Sequence, residues 1–393
     1  MMMKKIVFAI FAGFLSMTMT AAGFSQELTF SGIVNSKAAY TAGAGDAPDA
    51  AFGLEEYANL RIQAKIRDRA VFYGAVNLIA AAGASAGPLL AANPSALNAA
   101  GDNYAAVIEP ERLYIRLNGE YIDLDAGLMR LAFGFGQAWG PMDFLNPRDP
   151  RFPDARPRAV LGASAAAFPG DSAKLLIFGA APRDSLSTGG GFRFGLTGEH
   201  HGDYLSVQGL YAYETPRTDD SPSGGPLGIH RLGLSLKAEA GAGLLADALY
   251  TYNHDQGTGI EGLAACAGLD YSFYDGKFYA LAEYLYSGSY SSTAEGAGLA
   301  NRNYLYALLR YSWNDYTNTG LAGMICFDDW SFSPILTTEY ELFQGFTLGL
   351  TVRVPLDREV FGANDAAGEL GPLPPGHAAG ARAFLTMSGR LRF

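Results

Sequence analysis

The 393-residue chain carries 28 Lys and Arg against 39 Asp and Glu, a formal net charge of −11 that argues against nucleic acid as a partner. Its 49 glycines, 22 tyrosines and 24 phenylalanines, with only 17% charged residues, are strand and turn formers, so composition predicts an all-β fold. Two cysteines, Cys266 and Cys326, make no disulfide framework and are expected to be free.

In chain order, a basic start (Lys4, Lys5) precedes an apolar run and then small residues, the layout of a secretory signal peptide over residues 1–23. The alternative is a retained anchor, for which the run is short. Cleavage would take the net charge to about −13 and leave residues 24–393, in which no linker is evident, as one domain. No cysteine lies near the cut, so a lipid anchor is not expected.

From there the apolar residues alternate. Strands are predicted over 28–40, 53–67, 70–81, 106–118, 120–133, 158–167, 174–181, 191–199 and 203–213. The second half predicts 228–240, 243–253, 261–274, 277–287, 301–313, 318–327, 330–342, 346–354 and 381–393. That is about 18 strands, or 16 if a short pair is misread, and many reach the roughly ten residues that a tilted strand needs to cross a bilayer. The gaps sort by length. Long ones (41–52, 82–105, 134–157, 182–190, 214–227, 254–260, 288–300, 355–380) alternate with short ones such as Asp68-Arg69, Gly241-Ala242 and Phe343 to Gly345, with Asp328-Asp329 as the exception. A single antiparallel transmembrane β-barrel sorts its loops this way, with short periplasmic turns and long outer loops.

Two turns predict register. Asn118-Gly119 and Asp275-Gly276 suit a two-residue type I′ hairpin. Counted from the first, Ile115 opposes Ile122 and Leu113 opposes Leu124 on the lipid face, while Arg112 opposes Asp125 and Tyr114 opposes Asp123 on the lumen wall. Parity puts Cys266 with Asp270 and Ser272 toward the lumen, about three strands from Cys326. Aromatics at strand ends (Tyr271, Phe273, Tyr274, Tyr284, Tyr286, Tyr311, Trp313, Trp330) suit membrane girdles.

Chemistry is sparse. Ser85 lies in a G-x-S-x-G match, but within an Ala/Gly/Pro-rich loop rather than the strand, turn and helix that a nucleophile elbow needs. His200, His201, His230, His254 and His377 have no metal-ligand spacing, and no calcium loop or P-loop occurs. Gly134 to Gly140, GFGQAWG, leads into prolines rather than a helix, so it is no dinucleotide fingerprint. Neither an enzyme, a cofactor nor a metal is expected.

The segment after it is rich in proline and charge. Pro141, Pro147, Pro150, Pro153 and Pro157 stiffen it and bar it from a sheet interior. Arg148, Arg151, Arg156 and Arg158 interleave with Asp143, Asp149 and Asp154. Folded into a lumen, Arg148, Asp149, Arg151, Asp154, Arg156 and Arg158 would set a transverse field at a constriction, with Arg112, Asp123 and Asp125 on the wall. The alternative is a surface loop whose charges only pair with each other.

Two features resemble bacterial outer-membrane β-barrels. The last strand, ARAFLTMSGRLRF, alternates and ends in Phe393, like the C-terminal strand that the barrel-assembly machinery reads. The stretch from Gly127 to Pro150 is similar to a porin-like family with a W-x-P-x-D-x-x-N-P-x-D loop motif, matched here by Trp139, Pro141, Asp143, Asn146, Pro147 and Asp149. It departs from that family at Leu128, Met129 and Phe133, where Arg, Gln and Trp are frequent. The resemblance covers about 25 to 30 residues plus the strand pattern. It implies passive passage of small hydrophilic solutes through an outer-membrane channel, with lipid around it and an oligomer possible. The competing readings are a structural or adhesive barrel with a plugged lumen, and a barrel hydrolase.

Overall fold

The computed structural model describes residues 27–43, 51–92, 97–101, 103–146, 159–181, 191–215, 228–253, 262–288, 301–356 and 382–393. The signal peptide, His254, His377, Pro147 and the six charges from Arg148 to Arg158 lie outside the described residues.

The chain runs through β1 (Glu27–Gly43), β2 (Ala51–Ile66), β3 (Ala70–Gly83), helix α1 (Ala86–Ala92), β4 (Leu97–Gly101), β5 (Tyr104–Leu117) and β6 (Ile122–Met129). It continues with β7 (Val160–Gly170), β8 (Ala173–Ala181), β9 (Arg193–His201), β10 (Leu205–Glu214), β11 (Ile229–Ala240), β12 (Ala242–Asn253) and β13 (Leu263–Phe273). The last strands are β14 (Phe278–Ser287), β15 (Asn303–Asn314), β16 (Thr317–Cys326), β17 (Phe332–Phe343), β18 (Phe346–Arg353) and β19 (Arg382–Arg392). Each pairs antiparallel with its successor except that β3 pairs directly with β5, and β19 returns to β1, closing an 18-strand barrel. The extra strand, β4, pairs with Tyr104–Ile108 of β5, beside the stretch that β6 leaves when it pairs only with Leu113–Leu117.

Alternation decides which way each side chain faces. Leu60, Leu78, Ile115, Leu124, Ile177, Leu196, Leu234, Leu269, Leu321 and Leu336 are exposed, while Asn59, Asn77, Thr197, Gln208, Ser235 and Asp247 are buried. A water-soluble barrel would have the reverse pattern; apolar outside and polar inside is the arrangement that lipid selects. No described helix is long and apolar enough to cross a membrane.

Local chemistry explains one turn as predicted and corrects the other. Asp275 and Gly276 have φ of 54° and 79°, and the Lys277 N–H donates to the Tyr274 carbonyl at 3.1 Å, as a type I′ turn requires. Neither Asn118 nor Gly119 has positive φ. The Gly119 N–H donates to Asp123 Oδ1 at 3.2 Å and the Asn118 N–H to the Arg69 carbonyl at 2.8 Å, so the loop runs on and closes at Leu117 against Leu124. Leu113 therefore opposes Leu128, Tyr114 opposes Gly127, Ile115 opposes Ala126, and Arg116, not Arg112, opposes Asp125. The slip is an even number of residues, so every side chain keeps its predicted face.

Two further expectations change. β6 ends at Met129 instead of reaching residue 133, and Ser85 is followed by helix α1 instead of an irregular loop. Ala86 and Leu89 of that helix pack on Ala81, Ala105 and Val107 of β3 and β5. At the seam, the Gly32 N–H donates to the Phe393 carbonyl at 2.8 Å and the Phe393 N–H to the Gly32 carbonyl at 3.1 Å. A Cβ at Gly32 would lie 2.5 Å from the Phe393 ring and 2.9 Å from the Asn59 carbonyl oxygen, so only glycine fits.

Candidate functional site: the lumen wall and the segment 130–146

After Met129 the odd-numbered residues continue to face the inside, but they become apolar. Met129, Leu131, Phe133, Met142 and Leu145 are buried with Val160, Phe178, Leu210 and Leu249, inward residues of β7, β8, β10 and β12. The Phe133 ring lies 5.0 Å from that of Phe178 and 6.0 Å from that of Phe144. Farther along, Ala138 and Trp139 pack with Leu245, Cys266, Leu285, Tyr304, Met324 and Cys326. Trp139 is 2% exposed, and its ring is 5.8 Å from that of Tyr304. Both cysteines are free and lie in one cross-strand row, Asp247, Cys266, Leu285, Tyr304, Cys326. Three strand spacings of about 4.8 Å separate them, beyond disulfide reach.

Polar contacts fix the same segment. The Gly134 N–H donates to Gln208 Oε1 at 2.5 Å, and the Phe135 N–H to Ser235 Oγ at 3.0 Å and Asp247 Oδ1 at 3.2 Å. The Gly136 N–H reaches Asp247 Oδ2 at 3.0 Å. Glu283 then accepts three consecutive backbone donors, Gln137 at 2.8 Å on Oε1 and Ala138 and Trp139 at 2.9 and 2.8 Å on Oε2. Glu283 is fully buried and Asp247 is 1% exposed. Truncating either would orphan buried N–H groups at about 1–3 kcal/mol apiece. Gly134 adopts φ of 84°, and a Cβ there would lie 2.4 Å from Asp247 Oδ2, so this glycine allows the backbone to approach the acid.

The loop-motif residues fall into this packing. Pro141, Asp143 and Asn146 are buried; the Asp143 N–H donates to the Gly140 carbonyl at 2.9 Å, and the Asn146 N–H to the Asp143 carbonyl at 3.1 Å. The Asn146 amide also donates to the Leu131 carbonyl and, at 3.3 Å, to Asp143 Oδ1. These side chains shape the segment rather than charge it. A buried pair of arginines adjoins it: Glu214 accepts from Arg193 at 3.1 Å and Arg231 at 2.8 Å, and the Arg231 guanidinium sits 4.9 Å over the Phe144 ring.

The opposite wall is polar. Asn59 Nδ2 donates to Asn77 Oδ1 at 2.7 Å and Glu111 Oε2 at 2.6 Å, and Glu111 Oε1 pairs with Arg130 at 2.8 Å and Arg112 at 3.3 Å. Glu111 occupies a bulge where β5 shifts register against Ala75 and Val76. Arg112 lies 5.2 Å over the Tyr73 ring, and Asp125 is held by Arg116 through two bonds of 2.8 Å. Asp123 and Asp125 alternate with the exposed Ile122 and Leu124, and Arg112 and Asp125 are not partners. Among the described residues no cluster of three or more His, Cys, Asp or Glu could hold a metal. Ser85 lines a cavity of about 240 Å³ with Lys37, Glu55, Thr351 and Thr386 and no histidine.

A closed 18-strand barrel with an aliphatic exterior and a polar, partly filled interior has the fold of an outer-membrane porin. Solved porins share it across their length. Acinetobacter baumannii OccAB4 matches with a TM-score of 0.54 at 10% identity, over 94% of this chain and 99% of that one. Pseudomonas aeruginosa OccK8 (OprE) matches with a TM-score of 0.55 at 8% identity, over 94% and 99%. Pseudomonas aeruginosa OccK9 (OpdG) matches with a TM-score of 0.56 at 10% identity, over 94% and 100%. No family model matches the chain, and no curated protein does.

Sequence reasoning missed Gln208, Ser235, Asp247 and Glu283. Their signal was present. Asp247 stands between inward Leu245 and Leu249, and Glu283 between inward Leu281 and Leu285. Leucines facing a wet lumen imply that something covers them, and an acid between two of them marks where the cover is held.

Proposed function

We propose that the chain is exported by residues 1–23 and forms an outer-membrane channel for passive diffusion of small hydrophilic solutes, narrowed by its third outer loop folded into the lumen. The observation that carries the reading is the closed 18-strand barrel with its inverted alternation, a size that leaves an aqueous interior. Packing of residues 131–145 on inward side chains of β7, β8, β10 and β12 supports a narrowed bore. The mechanism is filtering by size and charge, with no bond made or broken. Arg148, Asp149, Arg151, Asp154, Arg156 and Arg158 would supply the field at the constriction, with Arg112, Asp123 and Asp125 on the wall. Phe393 acts as the signal read by the assembly machinery.

Liposome swelling tests this. Vesicles holding the refolded protein should admit small sugars and amino acids and slow as solute size rises. Swelling equal to protein-free vesicles refutes passage and favours the second reading, a structural barrel plugged by the apolar packing around Trp139. In a conducting protein, Arg148→Ala and Arg151→Ala should shift ion selectivity; unaltered selectivity places those arginines outside the pore.

A further inference from the structure

Five consecutive backbone N–H groups, Phe135 to Trp139, are all taken by two carboxylates on alternate strands, Asp247 of β12 and Glu283 of β14. We infer that these two acids are positioning residues that clamp segment 134–139 against the wall and thereby set the bore of the channel; the bore half rests on the channel reading above.

Carboxylates suit this task in a way that amides do not. An ionised carboxyl has two oxygens and only acceptor capacity, so it can face a row of donors without presenting one of its own. Glu283 uses both oxygens for three donors, and Asp247 uses both for two, with Ser235 Oγ as a further donor to Oδ1. Gln137 ties the far end through its side chain, donating to Asp270 Oδ2 and accepting from Tyr279 Oη at 2.6 Å. Glycines match the spacing, since a Cβ at Gly134 would run into Asp247 Oδ2 and one at Gly136 into the Trp139 carbonyl oxygen, with Asp247 Oδ2 3.1 Å away. Trp139 shares one buried cluster with the two free thiols, Cys266 and Cys326. Those thiols are native reporters of whether the segment is down.

The experiment measures labelling by a membrane-impermeant maleimide together with single-channel conductance of the full chain refolded in lipid. Buried thiols react slowly, so the wild type should label slowly, whereas Glu283→Gln, Asp247→Asn and their combination should label about tenfold faster or more. The same variants should raise unit conductance or its fluctuation, and Glu283→Asp, which keeps two acceptor oxygens, should lie between. Folding is checked by heat-modifiable gel migration; should the double variant not fold, Ala138→Pro removes one donor with both acids intact and should accelerate labelling likewise. Labelling at the wild-type rate in folded variants overturns the clamp. Faster labelling with wild-type conductance overturns control of the bore but leaves the clamp. A wild type that never conducts refutes the channel reading, while the labelling arm still decides the clamp.

Discussion

Asp328 shows how single residues stabilise the rim. It sits in the short connection between β16 and β17, where its Oδ2 accepts the N–H groups of Arg302 and Asn303 at 2.7 Å each and its Oδ1 the Asn303 amide at 2.8 Å. Partial burial works against the charge, but the Asn303 side chain and the two backbone donors outweigh it and hold the carboxyl below its ordinary value. A depressed value contributes stability that is full above the unfolded-state value, about 3.9, and is lost as pH falls through the folded one. Asp328→Asn should therefore lower stability at neutral pH, where the contribution is full, and make progressively less difference as pH falls below about 4, which flattens the acid limb of a thermal-stability profile. An unchanged acid limb would show that these bonds add nothing to the charged form. At the seam, Gly32→Val should cost about 1–3 kcal/mol in urea unfolding, because the new side chain meets both the Phe393 ring and the Asn59 carbonyl.

The β5–β6 hairpin separates what local sequence decides from what it does not. In the folded protein Arg116 grips Asp125 with side chains 47% and 19% exposed, a pair worth about 0.2–1 kcal/mol. A double-mutant cycle on Arg116 and Asp125 should return coupling in that range, and one on Arg112 and Asp125 none; the reverse would restore the tight-turn register. Asp275-Gly276 was legible because the positive φ values that a type I′ turn needs belong to the dipeptide itself, although Tyr274 before it, at φ 53°, adds a third that the dipeptide does not announce. Asn118-Gly119 was not, because Asp123 and the Arg69 carbonyl, partners outside the dipeptide, settle that loop. β6 was read four residues past its end for a related reason: Leu131 and Phe133 continue the alternation, but on the inward side, where Asp123 and Asp125 had just marked water. The change from acid to apolar on one face is the sign that the chain has left the wall.

At the scale of the molecule, alternation made the barrel legible, since lipid outside and water inside imprint a period of two on every strand. Strand number followed from the same pattern; the seam where Phe393 meets Gly32 did not, because that pairing joins the two ends of the chain. The site was legible only in part. Trp139, Pro141, Asp143 and Asn146 could be picked out by their run, yet the acids that receive the segment lie about 110 and 145 residues away, a pairing that only closure of the barrel creates. If Ser85 were a nucleophile, Ser85→Ala would abolish an esterase activity; the channel account predicts no hydrolysis by either protein. Whether this barrel is an open but narrowed pore is decided by single-channel recording of the refolded protein in planar bilayers. Discrete, reproducible conductance steps are the expected result, and traces without steps above the bare bilayer would contradict it.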